Sequence, residues 1–482
     1  MSYTVAQNTS FLTAASILQK VISFFYFIFV ARIIQVENTG VYFFAIAFTT
    51  IFIVVADFGM GSVLTREVSR YPDRSASYFN TVFWTKFMFG AGTYLLVVLF
   101  ANVLKYPETT KLLIYISGIT MFLDNLTGAF NSIFRAKKNL IYESFGLIVS
   151  QLTTLLIGTF ALLNHWPLVW LILAYTIPSF LNLIYISTFL KKVYGIGVHF
   201  VWHSQVFKIF LATALPFALA GIIGRLFSYS DSLLMSKLLS AKELGWWSVP
   251  YKITFAFQFI PVALTASVYP VFSGLFLSEK SAIGPLFEKS WRYLFVIIFP
   301  VAFGLMAVAD PVVRQVFGQQ FAPSIAPLRV LLVSLIFGFL SFIPGALLNA
   351  TNKQKTQTWL MALALMISVI LNLILLPRLG ITGAAVAATA SNAVLCLTGL
   401  YFSGRQVFIN FKNIFRYINQ TLWPALAMGA SVYYLAGKIH YLPTILIGGI
   451  IYLVLICFTG VINRENVSII ISKLKASKDS KA

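Results

Sequence analysis

The stretch Lys237-Leu-Leu-Ser-Ala-Lys-Glu-Leu-Gly245-Trp-Trp247 decides how this chain is read. It joins two apolar segments within 212–261. It also repeats the pattern of Arg32-Ile-Ile-Gln-Val-Glu-Asn-Thr-Gly40-Val-Tyr42: a basic residue, two aliphatics, an acid or amide, glycine, then an aromatic. The stretch therefore opens the second half of a duplicated membrane protein. Around it, Arg225 and Lys252 fall among residues that read as bilayer-buried. A charged side chain at mid-membrane costs about 2.5–3.5 kcal/mol, so something must offset each of them.

Composition agrees. The 482 residues are 59% hydrophobic and 10% charged, with mean hydropathy +0.86. Soluble domains are roughly 25% charged, so soluble, disordered and fibrous classes are excluded. A net charge of +21 would suggest nucleic acid in a soluble chain. Here the basic residues gather in loops and report membrane orientation instead. Cys396 and Cys457 lie in apolar runs and read as packing residues, not as a disulfide or a metal site. The first residues carry no positive n-region, so the first segment reads as a retained helix.

About fourteen apolar segments follow, from roughly 11–33 to 441–462, each near the ~20 residues that span a bilayer. Runs of this length are helices, because barrel strands are shorter and alternate. The fold expected is all-α and integral to the membrane. Basic clusters recur in every second loop: Arg66, Arg70 and Arg74; Arg135, Lys137 and Lys138; Lys191 and Lys192; Arg405, Lys412 and Arg416. That rhythm places both termini in the cytoplasm of a cytoplasmic-membrane protein. The loops are too short to hold a soluble catalytic domain.

A second internal match supports duplication. Gly128-Ala-Phe-Asn-Ser-Ile-Phe-Arg-Ala-Lys-Lys138 aligns without a gap on Gly345-Ala-Leu-Leu-Asn-Ala-Thr-Asn-Lys-Gln-Lys355. Segments 1–6 then map onto segments 7–12 in parallel. The expected domains are six-helix bundles at 1–205 and 206–405, two further helices at 406–463, and a basic cytoplasmic tail at 464–482. Parallel repeats are one of the two repeat types of secondary transporters, with the substrate path between them.

Polar residues recur at helical spacing on otherwise apolar segments. Segment 1 carries Thr9, Thr13, Ser16, Lys20 and Ser23; segment 4 carries Ser117, Thr120, Asp124, Thr127 and Asn131; segment 7 carries Gly221, Arg225, Ser228 and Ser232; segment 10 carries Ser334, Gly338, Ser341 and Gly345. Such stripes face a cavity or another helix. The charge-free stripe of segment 10 reads as helix contact, and the charged stripes as cavity walls. Lys86 reads either as a snorkelling lysine or as a cavity cation. Arg292 and Arg329, near segment ends, read as snorkelling. Asp231 is either a structural partner of Arg225 or Lys237, or a cavity group. Basic groups outnumber acids in these positions, and Lys and Arg suit phosphate oxygens.

Ala56-Asp-Phe-Gly-Met-Gly-Ser-Val-Leu-Thr-Arg-Glu-Val-Ser-Arg70 closely resembles the signature that closes helix 2 in the polysaccharide-biosynthesis (Wzx-type) flippases of the multidrug/oligosaccharidyl-lipid/polysaccharide exporter superfamily. Leu376-Pro-Arg-Leu-Gly-Ile-Thr-Gly-Ala-Ala385 resembles the short turn between helices 11 and 12 of that group. The resemblance covers essentially the whole chain. It implies translocation of a polyprenyl-diphosphate-linked oligosaccharide across the cytoplasmic membrane, for cell-surface polysaccharide such as O-antigen. It also implies functional basic residues in helices 1, 2, 7 and 8. Lys20, Arg225 and Lys252 match in helices 1, 7 and 8, whereas helix 2 holds no Lys or Arg between Val41 and Leu64.

The reading is a transporter, not an enzyme, with no cofactor. Lys20, Arg225 and Lys252 would bind the diphosphate. Asp124 and the Ser/Thr stripes would hydrogen-bond sugar hydroxyls, while Lys86, Asp124 and Asp231 are candidates for a cavity or coupling role. Expected partners are the lipid-linked glycan, membrane lipid, a coupling ion (H+ or Na+) and other polysaccharide assembly proteins, but no nucleic acid. The alternative is an ion-coupled drug or cation antiporter of the same superfamily, which would need buried carboxylates.

Overall fold

The computed structural model describes residues 5–461, with side chains described from residue 11. Side-chain claims for Thr9, and the tail at 464–482, lie outside the described residues. Among the described residues every regular element is helical. Eleven stretches are long and apolar enough to cross a membrane. Large apolar side chains cover the outside: Leu156 and Leu446 are each 70% exposed and Phe458 85%. A skin of this kind suits lipid and not water.

The chain forms two compact units. The first holds residues up to Ser248 together with Ser368–Ile381; the second holds Val249–Ile367 and everything described from Thr382.

The first unit begins with α1, Val5–Asp57, which is two helices meeting at a corner where Gln35 leaves helical geometry (φ 67, ψ 172). A straight helix of its 53 residues would run about 80 Å, far beyond a ~30 Å bilayer core. The second limb ends at the Asp-Phe-Gly signature. Phe58 (φ 46) and Gly59 (φ 72) turn left-handed, and α2, Met60–Arg70, sets off in a new direction. Gly59 is required twice over. It has positive φ, and a Cβ there would press on Phe217 and the Ala214 carbonyl. Met60, Val63, Leu64 and Val68 bury one face of α2, while Arg66 and Arg70 remain exposed.

The bundle continues with α3 (Ser75–Val103), α4 (Glu108–Ala136), α5 (Ile141–Leu163), α6 (Val169–Tyr194) and α7 (Ser204–Leu238). Its main apolar core joins Phe79, Val82, Phe130, Phe134, Ile186 and Phe210 to the buried face of α2. The two sequence-matched glycines meet inside this unit. A Cβ on Gly40 would collide with the Ala241 carbonyl and lie 2.7 Å from the Gly245 amide nitrogen; one on Gly245 would collide with the Val36 carbonyl. Beside this seam, Lys237 donates to the Leu104 carbonyl and lies 3.5 Å from the centre of the Tyr106 ring, whose hydroxyl is 2.8 Å from Ser236 Oγ.

The unit boundary falls inside α8, Ala241–Ala256, which stops where α9, Phe259–Ser278, begins. The two helices together make one apolar stretch of 38 residues, Ala241–Ser278. Pro261 accounts for the break: a proline removes its own N–H donor and crowds the carbonyl four residues back, here that of Phe257. The backbone tightens locally, with Phe257 bonding to Thr254 and Gln258 to Phe255.

In the second unit α10 (Ile283–Ala307) is the hub, followed by the single turn α11 (Ala309–Val312), then α12 (Ile325–Ala350), the two ends of α13 (Gln354–Gly404, whose middle, Ser368–Ile381, belongs to the first unit), α14 (Phe411–Ala436) and α15 (Tyr441–Phe458). Glu288 on α10 accepts from Asn410 N and from Asn413 Nδ2, both at 2.8 Å. Tyr452 on α15 donates to the Val296 carbonyl at 2.9 Å. Arg292 does not snorkel; it donates to the Val461 carbonyl and lies over the Tyr417 ring. Arg329 is exposed. The signature at 376–385 forms a corner in α13 where Gly380 is non-helical (φ 55, ψ −142). Both cysteines are free; Cys396 is buried, whereas Cys457 is exposed.

Candidate functional site

The charged residues singled out in the sequence divide into neutralised and unneutralised groups. Lys86 is neutralised. It neither snorkels nor stands as a free cavity cation: its side chain is 2% exposed and its ammonium lies 2.7 Å from Asp57 Oδ1. The lysine backbone carbonyl also accepts from Asn125 Nδ2 at 3.0 Å. The acid that closes the second limb of α1 thus fastens α3, which in turn is held by α4. Nearby, Arg135 Nε donates to Glu143 Oε2 at 2.9 Å and ties the end of α4 to the start of α5.

Asp231 takes neither expected partner. It is buried and accepts from the backbone N–H of Ser232 at 2.6 Å. Lys237 is engaged with Leu104 and Tyr106 instead. Arg225 is half-buried on α7, and among the described residues no acid pairs with it. Lys20 is exposed on the first limb of α1 and likewise has no acidic partner among the described residues. Lys252 is half-buried on α8, in the last turns before the break. Lys20 and Arg225 belong to the first unit and Lys252 to the second.

The stripe of α4 lines a recess within the first unit. Its volume is about 150 Å³, and Thr49, Thr50, Ser117, Thr120, Asp124 and Tyr175 supply its polar wall. Hydroxyls are paired across it: Thr49 with Ser117 at 2.7 Å, Thr120 with Thr176 at 2.7 Å, and Tyr42 with Tyr175 at 3.1 Å. Asp124 is exposed to the recess, with Ser179 beside its carboxyl. On α12 the stripe does make helix contact, since Ser334 accepts from Asn392 Nδ2 at 3.0 Å.

The tyrosine group behind this recess was not anticipated. Tyr26 is 1% exposed and its hydroxyl has no partner among the described residues. It fits only because residue 158 is glycine, where a Cβ would collide with the phenol oxygen. Tyr175, Thr176 and Ser179 share one face of the sixth segment at helical spacing, a signal that was available in the sequence.

The sequence model of the family described as "Polysaccharide biosynthesis protein" matches residues 5–276, more than half of the chain. This protein belongs to that polysaccharide biosynthesis family. Among its relatives is the capsular polysaccharide biosynthesis protein CapF of Staphylococcus aureus, 23% identical over 434 residues, covering 83% of this chain and 100% of that protein. Another is the probable low-salt glycan biosynthesis flippase Agl15 of Haloferax volcanii, 24% identical over 194 residues. That match spans 40% of this chain and 41% of the relative. The fold is that of the lipid II flippase MurJ in an inward closed conformation, with TM-score 0.77 over 93% of this chain and 98% of that one, at 17% identity. This member of the polysaccharide biosynthesis family keeps the Asp-Phe-Gly signature as a structural joint: Asp57 binds Lys86, and Gly59 receives α7.

Proposed function

We propose that this protein is a flippase that moves a polyprenyl-diphosphate-linked oligosaccharide across the cytoplasmic membrane for surface polysaccharide assembly. The observation that carries the reading is the contrast between cations. Lys86 is cancelled by Asp57, while Arg225 is held half-buried on an apolar helix with no acidic partner among the described residues. A guanidinium kept in that setting suits a phosphate oxygen, which it can grip with two parallel N–H bonds. Lys20 and Lys252 are proposed as further cations for the diphosphate, each from its own unit. The relatives named for capsule biosynthesis and glycan flipping support the same cargo.

The proposed topology has fourteen crossings. The corners at Gln35 and Gly380 each divide one long stretch in two, and α14 adds a crossing of moderate hydropathy. The arrangement is six, six and two, with both termini cytoplasmic, and the two six-helix bundles rock to alternate access. The glycan head group travels through protein while the polyprenyl tail stays in lipid. No catalytic role is assigned. Other polysaccharide assembly proteins are proposed as partners that supply and consume the glycan.

The test is leaflet-resolved. In a deletion strain, lipid-linked oligosaccharide should accumulate where an impermeant sugar-oxidising probe cannot reach it. Wild type should restore labelling, and Arg225→Ala at equal protein level should not. Unchanged labelling in the deletion strain would reject the flippase reading. A rival cation or drug antiporter is favoured by one observation, the carboxyl of Asp124, which no base pairs with among the described residues. It predicts drug sensitivity on deletion in a pump-deficient host.

A further inference from the structure

Asp124 sits in the middle of α4, the position where an ionised carboxyl is least tolerated. Its cost there is about 2.5–3.5 kcal/mol and calls for compensation. A base would supply it, yet among the described residues none pairs with the group. From α3, Lys86 is held by Asp57; from α5, Glu143 is held by Arg135; from α2, Arg66 bonds its own neighbour Glu67. The two limbs of α1 present the phenols of Tyr26 and Tyr42 with Thr49 and Thr50, and α6 presents Tyr175, Thr176 and Ser179. Tyr94 of α3 lies against Gly118, further along α4. Among the described residues no Lys or Arg forms an ion pair with the carboxyl, and Ser179 is its hydrogen-bond partner.

The recess does not suit a bare metal ion either. A hard cation such as Ca²⁺ takes about six to eight oxygens. The hydroxyls here are already engaged, Thr49 with Ser117, Thr120 with Thr176, Tyr175 with Tyr42 and Thr50 with the Ile46 carbonyl, and a single carboxyl supplies the anionic oxygen. The volume of about 150 Å³ holds roughly five waters at ~30 Å³ each. Hydration continues along α4, one and two turns beyond Asp124. Thr127 Oγ1 and Asn131 Oδ1 are buried without a protein partner, and such atoms take ordered water. The same stripe leads towards Arg135 at the end of the helix.

We infer that Asp124 is a proton-binding site in a hydrated recess of the first unit, reached along the Thr127–Asn131 face of α4, and that its protonation is coupled to transport. The inference rests on the transport reading above. The step is a simple exchange: the carboxylate takes a proton from recess water and becomes a neutral acid, then returns that proton to water when the recess communicates with the opposite side. The neutral form removes the mid-membrane charge, so the two states of the group favour different arrangements of the helices around it.

Infrared difference spectra of the purified full-length protein in lipid, titrated with pH, test the site without any cargo. A carboxylic-acid C=O band should grow as pH falls, vanish in Asp124→Asn and return, shifted, in Asp124→Glu. In cells, collapse of the proton gradient by a protonophore should lower outer-leaflet labelling about tenfold in wild type, within the ~5–150-fold span of coupling between linked sites. It should leave the residual labelling of Asp124→Asn unchanged. A band that persists in Asp124→Asn overturns the inference. So does a band that NaCl displaces at fixed pH, which would mark a metal-cation site, and so does an Asn variant that exports a different glycan with its proton dependence intact. If the deletion strain shows no leaflet change but the band behaves as stated, the flippase reading falls and the proton site stands for another cargo.

Discussion

Lys86 and Asp57 form an asymmetric pair: they are 2.7 Å apart, yet the lysine side chain is 2% exposed and the aspartate 37%. Removing either partner leaves the other in very different surroundings. Asp57→Asn strands a buried ammonium, and breaking such a pair costs about 3–5 kcal/mol. Lys86→Met strands a carboxylate that water already reaches, with a smaller loss of about 1–3 kcal/mol. Thermal unfolding of the detergent-purified variants should therefore rank Asp57→Asn below Lys86→Met. The reverse order would mean that the lysine, not the acid, has access to water.

Arg225 offers a different readout. If its guanidinium grips a diphosphate, Arg225→Ala removes a charged hydrogen bond of about 1.5–3 kcal/mol, or roughly 10–100-fold in flipping rate. Arg225→Lys keeps the charge but loses the planar fork and should fall in between. The leaflet assay at matched protein level checks both, and equal activity of all three would remove Arg225 from the site.

Gly158 and Tyr26 make a paired prediction. Gly158→Ala forces a methyl onto the phenol oxygen, and overpacking of this kind costs about 1–3 kcal/mol. Tyr26→Phe alone should be neutral or stabilising, because it deletes a buried hydroxyl that has no protein partner. Combined with Gly158→Ala it should recover part of the loss, since a new Cβ also lies 2.6 Å from the ring carbon that bears the hydroxyl. Strictly additive melting temperatures across the four proteins would show that the two residues do not touch.

Gly40→Ala and Gly245→Ala each drive a methyl into a backbone carbonyl, which cannot swing aside as a side chain could. Both should lower the unfolding temperature of the protein in detergent, whereas alanine at Gly449, which has open space around it, should not. Equal melting of all three would show that the seam is not closed in solution.

Much of this was legible in one dimension. Hydropathy located the membrane helices, because a spanning helix must be apolar along its whole length whatever packs beside it. The Lys237–Trp247 stretch and its N-terminal echo marked two corners correctly, since a turn needs glycine and polar residues locally. What escaped was the choice of partner. Asp57 could meet Lys86 only once α3 lay against the second limb of α1, and no spacing along the chain encodes that. Asp231 could be read as a partner of Arg225 or of Lys237, or as a cavity group; it accepts from the neighbouring backbone amide of Ser232. The break after Ala256 had its cause, Pro261, in plain view. The apolar run around it masked the proline because hydropathy does not count hydrogen-bond donors.

Where backbone meets backbone at Gly40 and Gly245, no side chain has to choose a rotamer for the two turns to meet or to part. Ordering a long side chain costs up to about 1.5–2 kcal/mol, and this seam asks for none. What the seam demands of the chain is an absence: neither glycine can carry a β-carbon, so the closeness of the two turns comes from two missing atoms and not from an added contact.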